Sequence, residues 1–497
     1  MKIKLPPTIQ NWVSLVGATI SLISFSMIIF LFVVATYLNQ STSYLGLIIY
    51  ILLPSVLIIG LLLIPIGMML KRKRDKKNLT SIEVGWPKIN LNDIKHRNAF
   101  FIFAIGTSIF LFASAIGSYQ VFHFTESTTF CGEICHSVME PEFIAYQNSP
   151  HAKVACVQCH VGNGADWYVR SKLSGLYQVY AVLTDDFSRP ISTPIENLRP
   201  ARETCEKCHW PQKFYSHKLV NEKYYLPDEN NSEWDINFIM KIGAKHGSLG
   251  LEEGIHWHIN PNTKVEFVST DNKAETIPWV KYTNKETDEV SIYFSEENPI
   301  DKISLDSLDV HEMDCMDCHN RPSHNYYSPS KFINDALTSG KIPKDLPEIK
   351  MVSTEICSEE FSTLDSAKHS IDYTIREFYN ENYPEIDTNL VITAIIGITN
   401  EFQKNIFPEM KVRWDVYSDN IGHLEFNGCF RCHDDNHVSE SGKTISKDCN
   451  LCHTIIGQGS PENFEVTTLD KSLDFLHPED LDEEEWKDEL CIECHAD

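Results

Sequence analysis

The chain has 497 residues, enough for two to four domains and a buried core, so size excludes nothing. Its formal net charge of −26 argues against a nucleic-acid partner. Its 15 cysteines are the unusual feature: an ordinary globular domain has no use for so many, so they must serve disulfides, metal or a covalent cofactor.

In chain order, three apolar runs without a charged residue come first: Val13 to Leu38, Leu45 to Leu70 and Ala99 to Phe122. At about 1.5 Å per residue each exceeds the roughly 30 Å hydrocarbon core, so three transmembrane helices are predicted. The first run is too long for the h-region of a cleaved signal peptide. Residues 71–98, opening KRKRDKK, hold nine Lys plus Arg, whereas NQSTS after the first span holds none, which places this linker and the N-terminus in the cytoplasm. Everything after about His123 then lies outside. The first 98 residues carry a balance of +8, leaving −34 for the rest. An acidic outer surface keeps a domain soluble and favours basic docking partners.

Fourteen cysteines form seven close pairs, Cys131/Cys135, Cys156/Cys159, Cys205/Cys208, Cys315/Cys318, Cys429/Cys432, Cys449/Cys452 and Cys491/Cys494. A histidine follows each pair, at His136, His160, His209, His319, His433, His453 and His495. For this composition the chance expectation of Cys-x-x-Cys-His is on the order of 0.02 per chain, so the repetition is not accidental. Zinc has no need of a histidine abutting every second cysteine. Covalent haem c does, because two thiols add to the porphyrin vinyls and the adjacent histidine becomes an axial ligand. Seven haem c groups are therefore expected. Such attachment takes place outside the bacterial cytoplasmic membrane, which agrees with the orientation drawn from loop charge.

The first motif, CGEICHSVMEP, departs from the others: three residues separate its cysteines, and Met139 follows its histidine by three. Motifs crowd into residues 131–209 and 429–495, with one at 315–319 between them. VEFVSTD, TIPWVKY and VSIYF, separated by turn-like segments, read as short strands. Val391, Ala394, Ile395, Ile398 and Phe402 repeat with helical spacing, as do Ile371, Ile375 and Phe378, and read as core faces. The segments are then 1–98 (membrane hairpin and basic linker), 99–122 (third span), 123–220 (haems 1 to 3), 221–305 (β-rich insertion), 306–345 (haem 4), 346–426 (helical) and 427–497 (haems 5 to 7). The fold class is a mainly α and irregular multihaem cytochrome.

The second axial position decides between electron transfer and catalysis. Histidines outside the motifs supply candidates: His151, His217, His324 and His437 stand close to motifs, and His256, His258, His311, His423 and His477 follow as further candidates. His246 and His369 read as surface residues, and Cys357 as a buried apolar one.

FCGEICHSVMEP, SPHAKVACVQCH and CEKCHWPQKFY resemble the membrane-anchored NapC/NirT group of multihaem cytochromes, over about a fifth of the chain. The complete pattern is similar to the seven-haem inner-membrane cytochromes of metal-reducing bacteria. The resemblance implies a quinol dehydrogenase that oxidises quinol, menaquinol in the first instance, at the periplasmic face of the inner membrane and passes electrons to periplasmic cytochromes or reductases in anaerobic or extracellular respiration. It also implies that Met139 competes with His136 as ligand to the first haem, and that Lys172, twelve residues past His160, lines the quinol pocket. The family's acidic residue seven positions beyond that lysine is Val179 here, and Glu133, Glu140 and Glu142 are the nearest carboxylates in sequence. The competing class is a multihaem terminal reductase of nitrite, hydroxylamine or a sulfur oxyanion with one open haem. A haem-based sensor would need a cytoplasmic output domain, for which the linker is too short.

Overall fold

A computed structural model describes residues 11–37, 52–77, 90–133, 136–161, 165–193, 200–211, 214–243, 254–469, 471–478 and 491. The chain divides into two compact units, 1–139 and 140–497.

In the first unit, helices α1 (Trp12–Tyr37) and α2 (Leu53–Lys77) form an antiparallel hairpin. Both contain stretches long and apolar enough to cross a membrane, Trp12–Leu31 and Leu53–Arg74. They meet through small residues: a Cβ on Gly17 would stand 2.6 Å from the Gly60 carbonyl oxygen, and one on Gly67 2.5 Å from Ser14 Oγ. Only glycine allows that approach, and Ser14 Oγ donates to the Ile64 carbonyl (2.9 Å) across the seam. The third predicted span lies within α3 (Ile94–Thr125), one unbroken helix of 32 residues. Helix α4 (His136–Gln147) follows.

The second unit continues with helix α5 (Ala165–Thr184) and two antiparallel sheets. The first is ordered β1-β2-β8-β9, from strands β1 (His217–Tyr225), β2 (Glu233–Lys241), β8 (His453–Ser460) and β9 (Asn463–Val466). The second is ordered β6-β3-β4-β5-β7, from β3 (Thr263–Val268), β4 (Trp279–Asn284), β5 (Val290–Ser295), β6 (His311–Glu312) and β7 (His437–Ser439). The three stretches read as strands from sequence are β3, β4 and β5. Both sheets are completed by strands from the last third of the chain, which ties residues 217–295 to the C-terminal motifs.

Helices α6 (Pro329–Thr338), α7 (Ile349–Ser358), α8 (Leu364–Asn382) and α9 (Thr388–Asn405) build a body around a mainly apolar core. Ile371 and Ile375 of α8 and Ala394, Ile398 and Phe402 of α9 are fully buried there, as their helical spacing predicts. Cys357 is fully buried in the same core, and burial alone raises its thiol pKa.

Candidate functional site

Single turns carry most motifs. Asp314 caps the turn Cys315–Cys318 in a reciprocal capping box with Asp317, and Asp448 caps Cys449–Leu451. A short helix, Cys156–His160, holds the second motif.

Each of five motif histidines faces one histidine from elsewhere in the chain. The ring centroids are 6.1 Å apart for His160 and His324, 6.0 Å for His209 and His151, and 6.2 Å for His319 and His256. They are 5.9 Å apart for His433 and His258, and 6.4 Å for His453 and His423. These distances have a specific meaning. Metal to imidazole nitrogen is about 2.0 Å and the ring centre lies about 1 Å further, so two imidazoles on opposite sides of one iron have centroids about 6 Å apart. The separations, 5.9 to 6.4 Å in all five pairs, fit two rings with one metal ion between them.

Hydrogen bonding settles which ring nitrogen is available. Nδ1 donates to a backbone carbonyl in His151 (Pro322, 3.0 Å), His324 (Glu142, 3.0 Å), His256 (Ile242, 3.1 Å) and His258 (Ile255, 2.9 Å). The motif histidine His433 does the same toward Ser446 (2.9 Å). A carbonyl can only accept, so each of these rings carries its proton on Nδ1 and keeps a lone pair on Nε2 for a metal. Burial lowers the pKa of His160, His256, His258, His319, His324 and His423, and takes His453 down to about 4. The neutral form that a metal requires is thus favoured. Among the described residues no group of three or more His, Cys, Asp or Glu converges as a zinc site would demand. The paired donor set fits haem.

The turn Ile255–Ile259 feeds two of these pairs. It starts after Gly254, whose φ of 141° and closeness to the Lys241 carbonyl (2.7 Å from a notional Cβ) admit no side chain. The Thr263 hydroxyl holds its far end by donating to the Trp257 carbonyl (2.8 Å). In a 3-10 turn residues i and i+2 point about 120° apart, so His256 and His258 serve different motifs.

Consecutive motifs are neighbours. Cys208 acts on the Cys159 thiol, and a hydrogen bond to Cys315 raises Cys205 and lowers Cys315. Burial and then Cys429 push both Cys318 and Cys452 up to about 11. Cys491 Sγ lies 3.7 Å from His423 Nδ1. Among the described residues, each of the second to fifth motifs thus lies near the next one in the chain.

A model of the NapC/NirT cytochrome c family, N-terminal region, matches residues 94–194. The chain is also 41% identical over 488 residues to the cytochrome c-type protein ImcH of Geobacter sulfurreducens, covering 98% of this chain and 95% of that protein. The chain is a c-type cytochrome of the NapC/NirT family. No solved structure matches it.

The cytochrome is thus a membrane-anchored protein with covalently bound haem c. Its remaining candidate residues fall into distinct settings. His437 is buried with both ring nitrogens engaged, Nδ1 by the Asp434 carboxylate (2.9 Å) and Nε2 by the Ile277 carbonyl (2.7 Å). Burial opposes its charge, but these two acceptors outweigh it and raise its pKa. His311 is exposed and contacts Asp317 (3.1 Å), whose hydrogen bond raises its pKa. His217 opens β1 at the surface beside Ser216 (3.2 Å). Among the described residues, none of these three rings faces a motif histidine. The ring of His477 lies against Phe475 (6.2 Å). His136 opens α4 and Met139 lies one turn on, half-buried, while Lys172 is half-buried in α5. Cys135, Cys494, His495 and His246 lie outside the described residues.

Two residues escaped the sequence reading. Arg431, inside the fifth motif, donates to the carbonyls of Gly428 (2.8 Å), Ala274 (2.8 Å) and Asp317 (2.9 Å), so it pins the fifth motif to the fourth. A charge between two motif cysteines is visible in the sequence, but its partners are not. Arg321 donates from Nε to the His324 carbonyl (2.8 Å), and its guanidinium stacks 4.2 Å over the Tyr417 ring. Both fix the loop that presents His324.

Proposed function

We propose that this cytochrome oxidises menaquinol at the periplasmic face of the inner membrane and delivers electrons to periplasmic cytochromes or reductases in anaerobic or extracellular respiration. In this reading three helices span the membrane, the basic linker is cytoplasmic, and seven haems are attached outside. The observation that carries it is the set of five histidine pairs. Two histidines holding each iron would leave no coordination site for a substrate, as suits a relay rather than a terminal reductase. The pairs that would hold a haem iron are His160 with His324, His209 with His151, His319 with His256, His433 with His258, and His453 with His423. His217, His311 and His437 stay outside them.

When bound, each haem supplies a one-electron iron couple. The chain supplies the rest. Nδ1 hydrogen bonds hold the rings in one tautomer, and Arg431 fixes the spacing of two motifs. Negative charge around the sites favours oxidised iron. In the first motif His136 and Met139 both remain ligand candidates, and a wider Cys-to-Cys loop suits a site unlike the closed relay pairs. The family resemblance assigns Lys172 to the quinol pocket, where an ammonium could hydrogen-bond a quinol oxygen and take part in moving its proton.

The test uses the full-length protein in liposomes, with menaquinol reduction of the haems followed by stopped flow. Lys172→Leu is expected to slow that reduction at least about tenfold with seven haems still attached by mass. An unchanged rate removes Lys172 from the site. A nitrite-sensitive high-spin signal from the outer motifs would instead support a terminal reductase.

A further inference from the structure

Helix α5 turns an apolar face outward. Leu173, Leu176, Tyr177, Tyr180 and Leu183 are 64%, 70%, 64%, 58% and 81% exposed. At about 100° per residue these five fall in one stripe roughly 120° wide. The helix is seated through the flank that holds Ala181, which is 6% exposed. Scattered exposed leucines need no explanation, but five large apolar groups in line on one 20-residue helix do.

The charges around the stripe identify what covers it. By the same angular count Lys172 stands at one edge and Arg170 at the other, with the Arg170 guanidinium 5.5 Å from the Trp167 ring centre. From Trp167 to Thr184 the helix has no Asp or Glu, in a chain whose net charge is −26. Acids resume at Asp185. An apolar stripe with tyrosines in it, a basic residue along each edge and no acid is the composition of a helix lying in a bilayer interface. There leucines reach the acyl chains, tyrosine hydroxyls reach headgroup level, and long basic side chains snorkel to anionic phosphates. The bilayer is also the partner always within reach, because the chain is membrane-anchored and α5 begins forty residues after α3 ends.

We propose that α5 is an interfacial helix lying flat on the membrane surface, with Leu173, Leu176, Tyr177, Tyr180 and Leu183 inserted and Arg170 and Lys172 at the depth of anionic headgroups. This rests on the membrane reading of α1 and α2, and it extends the quinol reading: a quinol leaving the acyl region would meet Lys172 without crossing water. It does not depend on that role.

The experiment places full-length, haem-loaded protein in quinone-free liposomes of phosphatidylethanolamine and phosphatidylglycerol doped with a phospholipid bearing a photoactivatable acyl chain, and maps adducts by mass spectrometry. Lipid adducts are expected on residues 173–183 as well as on α1 and α2. In a Leu176→Glu/Leu183→Glu variant, the α5 adducts should fall at least tenfold while those on α1 and α2, and the haem content, stay unchanged. Both substitutions are at exposed positions, so the fold is not at stake. Labelled α1 and α2 with an unlabelled α5 in the unaltered protein overturns the proposal. Because no quinone is present and Lys172 is untouched, failure here leaves the Lys172 assignment standing, and failure of that assignment leaves this one standing.

Discussion

Glu142 reaches His324 from two sides: its backbone carbonyl accepts from Nδ1 at 3.0 Å, and its buried carboxylate Oε2 stands 3.1 Å from the same nitrogen without a hydrogen bond of its own. The other Nδ1 donors among the proposed ligands have a neutral carbonyl alone. A carboxylate at Nδ1 makes an imidazole a stronger donor and favours the oxidised metal behind it. Glu142→Gln keeps an acceptor but removes the charge. One haem midpoint should rise by roughly 40 mV, the one-electron equivalent of about 1 kcal/mol, with the others unmoved. Spectroelectrochemical titration of both proteins reads this directly, and superimposable titrations would show that Glu142 only positions the ring.

The two histidines of the Ile255–Ile259 turn give a second test. If each closes a different iron, His256→Ala and His258→Ala should each convert one low-spin haem to high spin, and the double variant two. Low-temperature electron paramagnetic resonance counts them. A single substitution that opened two haems, or none, would contradict the pairing.

His437 should behave in the opposite way. Its two partners can only accept, so the ring carries both protons in the folded state, and His437→Gln should leave every haem low spin while costing about 2 kcal/mol of stability. Its folded pKa lies above the ordinary 6.5. The ion pair therefore contributes fully below about pH 6.5 and fades as pH rises through the higher folded value. Thermal unfolding at pH 6 and pH 9 should show the advantage over the variant shrinking at the higher pH.

The four-helix body should be separable from the haems in its energetics. Phe402 is fully buried in a cluster of apolar side chains drawn from all four helices. Phe402→Ala should cost about 3 to 5 kcal/mol while leaving the Soret spectrum unchanged. Denaturant unfolding followed by circular dichroism, with the haem spectrum as a second channel, distinguishes this from a core that the haems themselves support.

What sequence revealed here was local. A motif complete within five residues, a helix that repeats its apolar face, and a strand that alternates all announce themselves, which is why a c-type cytochrome, α8, α9 and β3 to β5 were legible. Which histidine faces which motif was not. Nearness along the chain favoured His151 and His324 together with His217 and His437, but His437 has its own acceptors and His217 stays at the surface, while His160 meets His324 from beyond two intervening motifs. The sheet that joins β2 to β8 was equally hidden, because pairing between distant strands is decided by packing and leaves no mark on either strand. Arg431 and Glu142 belong to the same class: each looks like an ordinary charge until a remote backbone atom arrives beside it.

The crossed pairing of histidines also bears on how such a protein is assembled. In the proposed sets His319 and His433 receive partners that precede them in the chain, whereas His160 must wait for His324. A polypeptide exported from its N-terminus would thus hold the second haem by its thioethers and one imidazole until the fourth motif had followed it out. In those five pairs the order of maturation would be written into which histidine comes first, with the second site left open longest among them.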